Sequence, residues 1–181
     1  MSKFFLPIPQ HFSSKGLWLY CGNLSVELTL FFLGKIDHLS GKPMPVSSKF
    51  FGGMLPWDIV KSLETFGVCA DLQNFAHKSD MAKIVALKEI LKKGRPPTVL
   101  VGLGLGHHIT VYGFDDDEEC FYCLDAGASD TEGITKISYI HLLKVWGRNT
   151  WPLRILSLYC RIFPQKDERL QVAPYTLVAP L

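Results

Sequence analysis

Apolar residues recur with a helical period three times in the first half of the chain. In the segment 21–33, Leu24, Leu28, Phe31 and Phe32 fall at i, i+4, i+7 and i+8, which is one face of a helix, and Gly34 is placed to stop it. A second helix is predicted from Pro56, where proline suits the first turn, to Gly67. A third spans 80–93, with Asp80 as N-cap and Gly94 as stop; its Lys83, Lys88 and Lys92 read as a solvated face. The period then changes to two. The segment 98–103 is short and apolar, 107–114 alternates, 115–118 is an acidic turn and 119–124 returns. A short helix is predicted over 138–146 and a last strand over 154–162. Pro7, Pro9 and the Ser13–Gly16 cluster predict an irregular arm over 1–20, and Pro164, Pro174 and Pro180 an irregular tail over 164–181. The segment 35–53, rich in glycine and proline, reads as loop. Helices followed by antiparallel strands place the chain in the α+β class.

Composition narrows the setting. With 181 residues the expectation is a single domain, and 48% hydrophobic against 20% charged residues is enough to build a core without a disulfide or metal staple. A net charge of +2 is too balanced to point to nucleic acid. Apolar stretches such as 28–33 fall far below the roughly 20 residues of a membrane span. The five cysteines are an odd number, and the opening residues carry no signal-peptide core. Reduced thiols and a cytoplasmic setting are therefore expected.

Three residues stand out chemically. Cys21 opens the first helix, where the positive end of the helix dipole lowers a thiol pKa and favours the nucleophilic thiolate. As a small apolar residue it would equally suit a core. In the strand beginning at His107, alternation puts His107, Ile109 and Val111 on one face and His108, Thr110 and Tyr112 on the other, so only one histidine can face a given site. A strand histidine is commonly structural, but beside a thiol an imidazole is the base that activates it. Asp125 closes the next strand, where a carboxylate can fix a histidine tautomer or simply begin a turn with Gly127.

Cysteine, histidine and aspartate in this order, with a helix behind the first and paired strands behind the others, resemble the papain-like cysteine peptidases. The nearer likeness is to the bacterial double-glycine, bacteriocin-leader-processing peptidases and their relatives. Cys21-Gly22 opens a helix as theirs does. His107-His108-Ile109-Thr110-Val111-Tyr112-Gly113-Phe114 matches their histidine strand, with His108 where tyrosine or phenylalanine is common. Leu124-Asp125-Ala126 matches their acid but lacks the proline that often follows it. The helix, Gly94-Arg95-Pro96 and the strand after it also fit, so the likeness spans about residues 10–162. It implies a papain-like fold with the helix bearing Cys21 packed on an antiparallel sheet. It further implies a cysteine peptidase or amide hydrolase with Cys21 as nucleophile, His107 as base and Asp125 orienting it. The family's oxyanion glutamine corresponds in position to Lys15; the nearest glutamine is Gln10, and Asn23 or a backbone amide are substitutes.

Rival motifs fail on geometry. Cys120 and Cys123 lie at i and i+3 of a strand and face opposite sides, so they cannot share a metal ion, and no metal or other cofactor is expected. The Gly102–Gly106 loop precedes a strand, not the helix a phosphate loop needs. The acidic run 115–118 lacks calcium-loop spacing and reads as a solvated turn. Trp18, Trp57, Trp146 and Trp151 read as core or groove wall. An acyl or peptidyl transferase on the same fold, and a non-catalytic peptide-binding module, remain alternatives, since nothing in the sequence chooses the acceptor of a thioester. The expected partner is an extended peptide with small residues at the cut, edged by the 35–53 segment with Phe50 and Phe51 and by the bare Gly102–Gly106 loop.

Overall fold

The helical and alternating segments become a layered α+β arrangement in the computed structural model, which describes residues 2–8, 21–40, 54–102, 106–125, 133–148 and 176–181. Four helices, α1 (Cys21–Phe32), α2 (Pro56–Thr65), α3 (Asp80–Lys92) and α4 (Tyr139–Trp146), follow the predicted segments closely. Gly34, Gly67 and Gly94 end the first three at φ of 65°, 71° and 76°, the left-handed conformation that glycine adopts without strain. The cap of α3 is Ser79, one residue before the predicted Asp80; its hydroxyl accepts from the amide of Ala82 at 3.3 Å.

The strands are β1 (Lys3–Phe5), β2 (Ala70–Asn74), β3 (Thr98–Val101), β4 (His107–Asp115), β5 (Cys120–Leu124), β6 (Ile134–Ser138) and β7 (Thr176–Pro180). They form one antiparallel sheet in the order β2-β7-β3-β4-β5-β6, with β1 also paired to β4. Strand β3 pairs with β4 through residues 107–110 and β1 through residues 113–115. Since β5 holds the other edge of β4 there, β1 takes up the edge that β3 leaves.

Two expectations are corrected by this topology. The 1–20 arm is not wholly irregular, because β1 lies within it. Phe4 stacks on Phe114 with ring centroids 6.0 Å apart, and Phe5 meets Tyr122 at 4.9 Å. Gly113 makes this pairing possible: a Cβ there would sit 2.4 Å from Cδ1 of Phe5. The 164–181 tail is not wholly irregular either, because it ends in β7, which is buried throughout and inserted between β2 and β3. Pro174 and Pro180 bracket a run too short to show a period, and Pro180 is tolerated as the strand's last residue. The edge strands β2 and β6 escaped the sequence reading because they are short, polar and only partly buried. The predicted strand over 154–162 lies outside the described residues.

Helix α1 is buried over nine consecutive residues, Gly22 to Leu30, more than its one-face pattern suggests. Leu24 and Leu28 join the main core with Val99, Ile109 and Val111, whereas Val26 and Leu30 pack with Ile59 and Leu63 of α2 and with Val178. A helix held between a sheet and another helix buries two faces, and no single stripe records that. The polar segments are also less solvated than predicted. Lys83 is buried beside Asp80 at 3.0 Å, and Lys88 reaches Asp116 with its ammonium 4.4 Å from the ring centroid of Tyr139. In the acidic turn, Asp115 pairs with Lys3 at 2.8 Å and Asp116 also accepts from Tyr139 at 2.8 Å, so the turn ties β1, α3 and α4 to the β4–β5 hairpin. Trp146 is core, as expected, and donates from Nε1 to the carbonyl of Thr176 at 2.8 Å; Trp18 and Trp151 lie outside the described residues.

Candidate active site

Cys21 is the first residue of α1, where backbone amides have no intrahelical partner and the helix dipole is positive. His107 is the first residue of β4 and follows Gly106, whose φ of 100° is a conformation that side-chain-bearing residues rarely adopt. Asp125 directly follows β5, and its own amide donates to the carbonyl of Gly133 at 2.8 Å. The hairpin register sets Thr110 opposite Leu124, which carries Asp125 back toward the start of β4.

These three residues are thereby brought together. His107 donates from Nε2 to Oδ1 of Asp125 at 2.5 Å, and its side chain also hydrogen-bonds the Cys21 thiol, for which Nδ1 is the remaining ring nitrogen. The side chains of His107 and Asp125 are 3% and 15% exposed, so the pair is shielded from solvent. Burial alone would lower the pKa of His107, but the bonds and charges of Asp125 and then Cys21 outweigh it and raise the ring to about 9. For Cys21, burial pulls the thiol pKa upward. The bond from His107, the amide of His108, the charge on His107 and the amide of Gly22 together overcome this, and the net direction is down. Lowering the acid and raising the base favours a thiolate–imidazolium pair near neutral pH, the state in which a cysteine attacks a carbonyl.

His108 points away from this group, as the strand alternation requires. Its Nε2 donates to the carbonyl of Met54 at 2.9 Å. The amide of His108 and the neighbourhood of Met54 belong to the site but were invisible to sequence reading, since a backbone group has no signature and Met54 is remote in the chain. Beside Asp125, the sheet and α4 enclose a cavity of about 230 Å³ lined by Val101, Ile109, Cys123, Thr135, His141 and Val145. Gln10, Lys15, Phe50, Phe51 and residues 103–105 lie outside the described residues.

Two buried cysteines of β5 differ from Cys21. Burial pushes the thiols of Cys120 and Cys123 up, and the two fall on opposite faces of β5. Among the described residues no group of three His, Cys, Asp or Glu side chains could hold a metal ion, and no helix is long and apolar enough to cross a membrane.

No family model and no curated protein sequence matches the chain. Solved structures do. One is a double-glycine motif protease from an AMS/PCAT transporter in complex with its leader peptide: TM-score 0.50 at 16% identity, covering 76% of this chain and 84% of that one. Another is a protein described as a C39-like peptidase from Bacillus anthracis: TM-score 0.53 at 10% identity, covering 100% of this chain and 98% of that one. The fold is that of the papain-like C39 peptidases. The sequence resemblance to the double-glycine peptidases is therefore matched in three dimensions, at an identity that speaks for the fold alone. Within this fold Cys21 stands at the head of α1, His107 at the start of β4 and Asp125 just past the end of the neighbouring β5.

Proposed function

We propose that the chain is a cysteine peptidase or amide hydrolase acting through Cys21, His107 and Asp125. The observation that carries this reading is the shared imidazole: one nitrogen of His107 is bound to a carboxylate and the ring also contacts a thiol whose pKa is lowered. The Cys21 thiolate attacks the carbonyl carbon of an amide, forming a C–S bond and a tetrahedral oxyanion. The imidazolium of His107 gives its proton to the leaving nitrogen as the C–N bond breaks, leaving a thioester. His107, now neutral, takes a proton from water, which attacks the thioester and releases the carboxylic acid and Cys21. Asp125 keeps the ring oriented and stabilises its charged form throughout. The amide of Cys21 and the side chain of Gln10 are the donors we assign to the oxyanion. The fold neighbour solved with a leader peptide supports a peptide as substrate, and the cavity beside Asp125 has the apolar lining to take an apolar side chain from it.

Iodoacetamide labelling at pH 6, read by peptide mass mapping, tests the chemistry. Preferential modification of Cys21, lost in His107→Ala, is the expected result; equal labelling of all accessible thiols overturns the reading. Incubation with a peptide library in plain buffer then separates hydrolysis from transfer: an acyl-enzyme that decays only when an amine is added would identify a transferase, whereas a folded protein with an unreactive Cys21 would identify a binding module.

A further inference from the structure

His108 is an expensive residue for its position. Its side chain is buried, with the residue 4% exposed. Burial above all holds it uncharged; the Met54 carbonyl opposes this and the charge of His107 adds to it, leaving the pKa at about 4. A neutral ring that donates from Nε2 carries its lone pair on Nδ1, and among the described residues nothing donates to that buried atom. A phenylalanine would fill similar space with no stranded nitrogen. What the imidazole supplies and an apolar ring does not is the 2.9 Å bond to the carbonyl of Met54.

Met54 has a second close neighbour. A Cβ placed on Gly22 would lie 2.5 Å from the Cβ of Met54 and 3.1 Å from its Cγ, so Met54 sits hard against the residue that follows Cys21. One residue thus touches both the neighbour of Cys21 and the neighbour of His107. The backbone amide of His108 in turn lies close enough to Cys21 to help lower its thiol pKa.

We propose that His108 is a positioning residue: its bond to Met54 locks the start of β4 against the start of α1, and so holds the His107 ring and the His108 amide on the Cys21 sulfur. The proposal rests on the reading of Cys21 and His107 given above. Both contacts to the sulfur leave from consecutive residues of one strand end, so a shift of that end loosens them together. An interaction that depends on alignment within a fraction of an ångström does not survive such a shift unchanged.

The test compares the wild type with His108→Phe, which keeps a ring and loses the donor, and His108→Gln, which keeps a donor at a similar reach. The readout is the rate of Cys21 alkylation by iodoacetamide from pH 4 to 10, with thermal unfolding followed in parallel. In His108→Phe the rate at pH 6 is expected to fall about tenfold, as the alkylation midpoint moves up by about one pH unit. His108→Gln should stay within about threefold of wild type, a rescue that packing alone does not give. Equal rates in wild type and His108→Phe overturn the proposal, as do equal losses in both variants. Should His108→Phe fail to fold, Gly22→Ala displaces Met54 from the other side with His108 intact, and the same upward movement is expected; an unmoved midpoint there overturns the proposal too. A wild-type Cys21 that alkylates with an ordinary thiol midpoint instead removes the catalytic reading itself, so the two failures are distinct.

Discussion

Replacing Asp125 by asparagine keeps the shape of the side chain and removes its charge from a site 2.5 Å from Nε2 of His107. The ring stands at about 9 where an ordinary histidine stands at 6.5, in spite of burial, which works in the opposite direction. At about 1.4 kcal/mol per pKa unit, the favourable contacts exceed the cost of burial by about 3 kcal/mol. Asp125 is the larger contributor and Cys21 the smaller. A charged hydrogen bond is roughly twice as strong as a neutral one, so Asp125→Asn should remove about half of the net effect, and the ring should titrate near 8 or below. NMR titration of ¹³C-labelled histidine rings measures this directly, with the His107 resonance assigned by its loss in His107→Gln. No substrate is needed. The same substitution carries a stability signature of fixed sign. A folded pKa raised above the unfolded one contributes stability that is complete below pH 6.5 and is lost as the pH rises through about 9. The urea midpoints of wild type and Asp125→Asn should therefore differ most below pH 6.5 and converge above pH 9. A His107 that titrates alike in both proteins refutes the argument, as does a wild-type ring titrating near its ordinary value.

Other expectations follow from the same contacts. Leu28 is fully buried between sheet and helix, and Leu28→Ala should cost about 2–5 kcal/mol in urea unfolding with little change in slope. The bond to Lys88 above all, with those to Ser2 and Tyr139, holds Asp116 down at about 2, so its contribution is present above pH 3.8 and lost as the pH falls toward 2. Asp116→Asn should lower stability at pH 7 by about 1 kcal/mol and flatten the acid limb of the unfolding curve, as read by thermal melts from pH 2 to 5. Gly113→Ala would bring a methyl group against Phe5 and the carbonyl of Phe4, and should accelerate amide exchange in β1 while costing about 1–3 kcal/mol.

Much of the candidate site is legible in the sequence alone. Cys21 at a helix start, His107 at a strand start and Asp125 after the next strand are local statements, each carried by a period change and a turn signal within about ten residues. The hairpin register that aligns Asp125 with His107 follows from a short acidic turn, whose length leaves few choices. Helix ends were equally legible, because Gly34, Gly67 and Gly94 mark them by a backbone preference independent of the rest of the molecule.

What escaped was whatever depends on a partner distant in the chain. A three-residue strand such as β1 has no period of its own and exists because β4 leaves an edge open beside it. The same holds for β7, a short run between prolines that becomes a buried inner strand only between β2 and β3. Met54 and His108 are 54 residues apart and meet through a carbonyl, a group every residue carries, so composition cannot point to it. Local order is encoded by propensity and spacing, which act over a single turn or strand. Contact between remote segments is selected by the packing of the whole core, and that selection brought His108 beside Cys21, shielded the His107–Asp125 pair from solvent and so set the direction in which the thiol and the ring shift their pKa values.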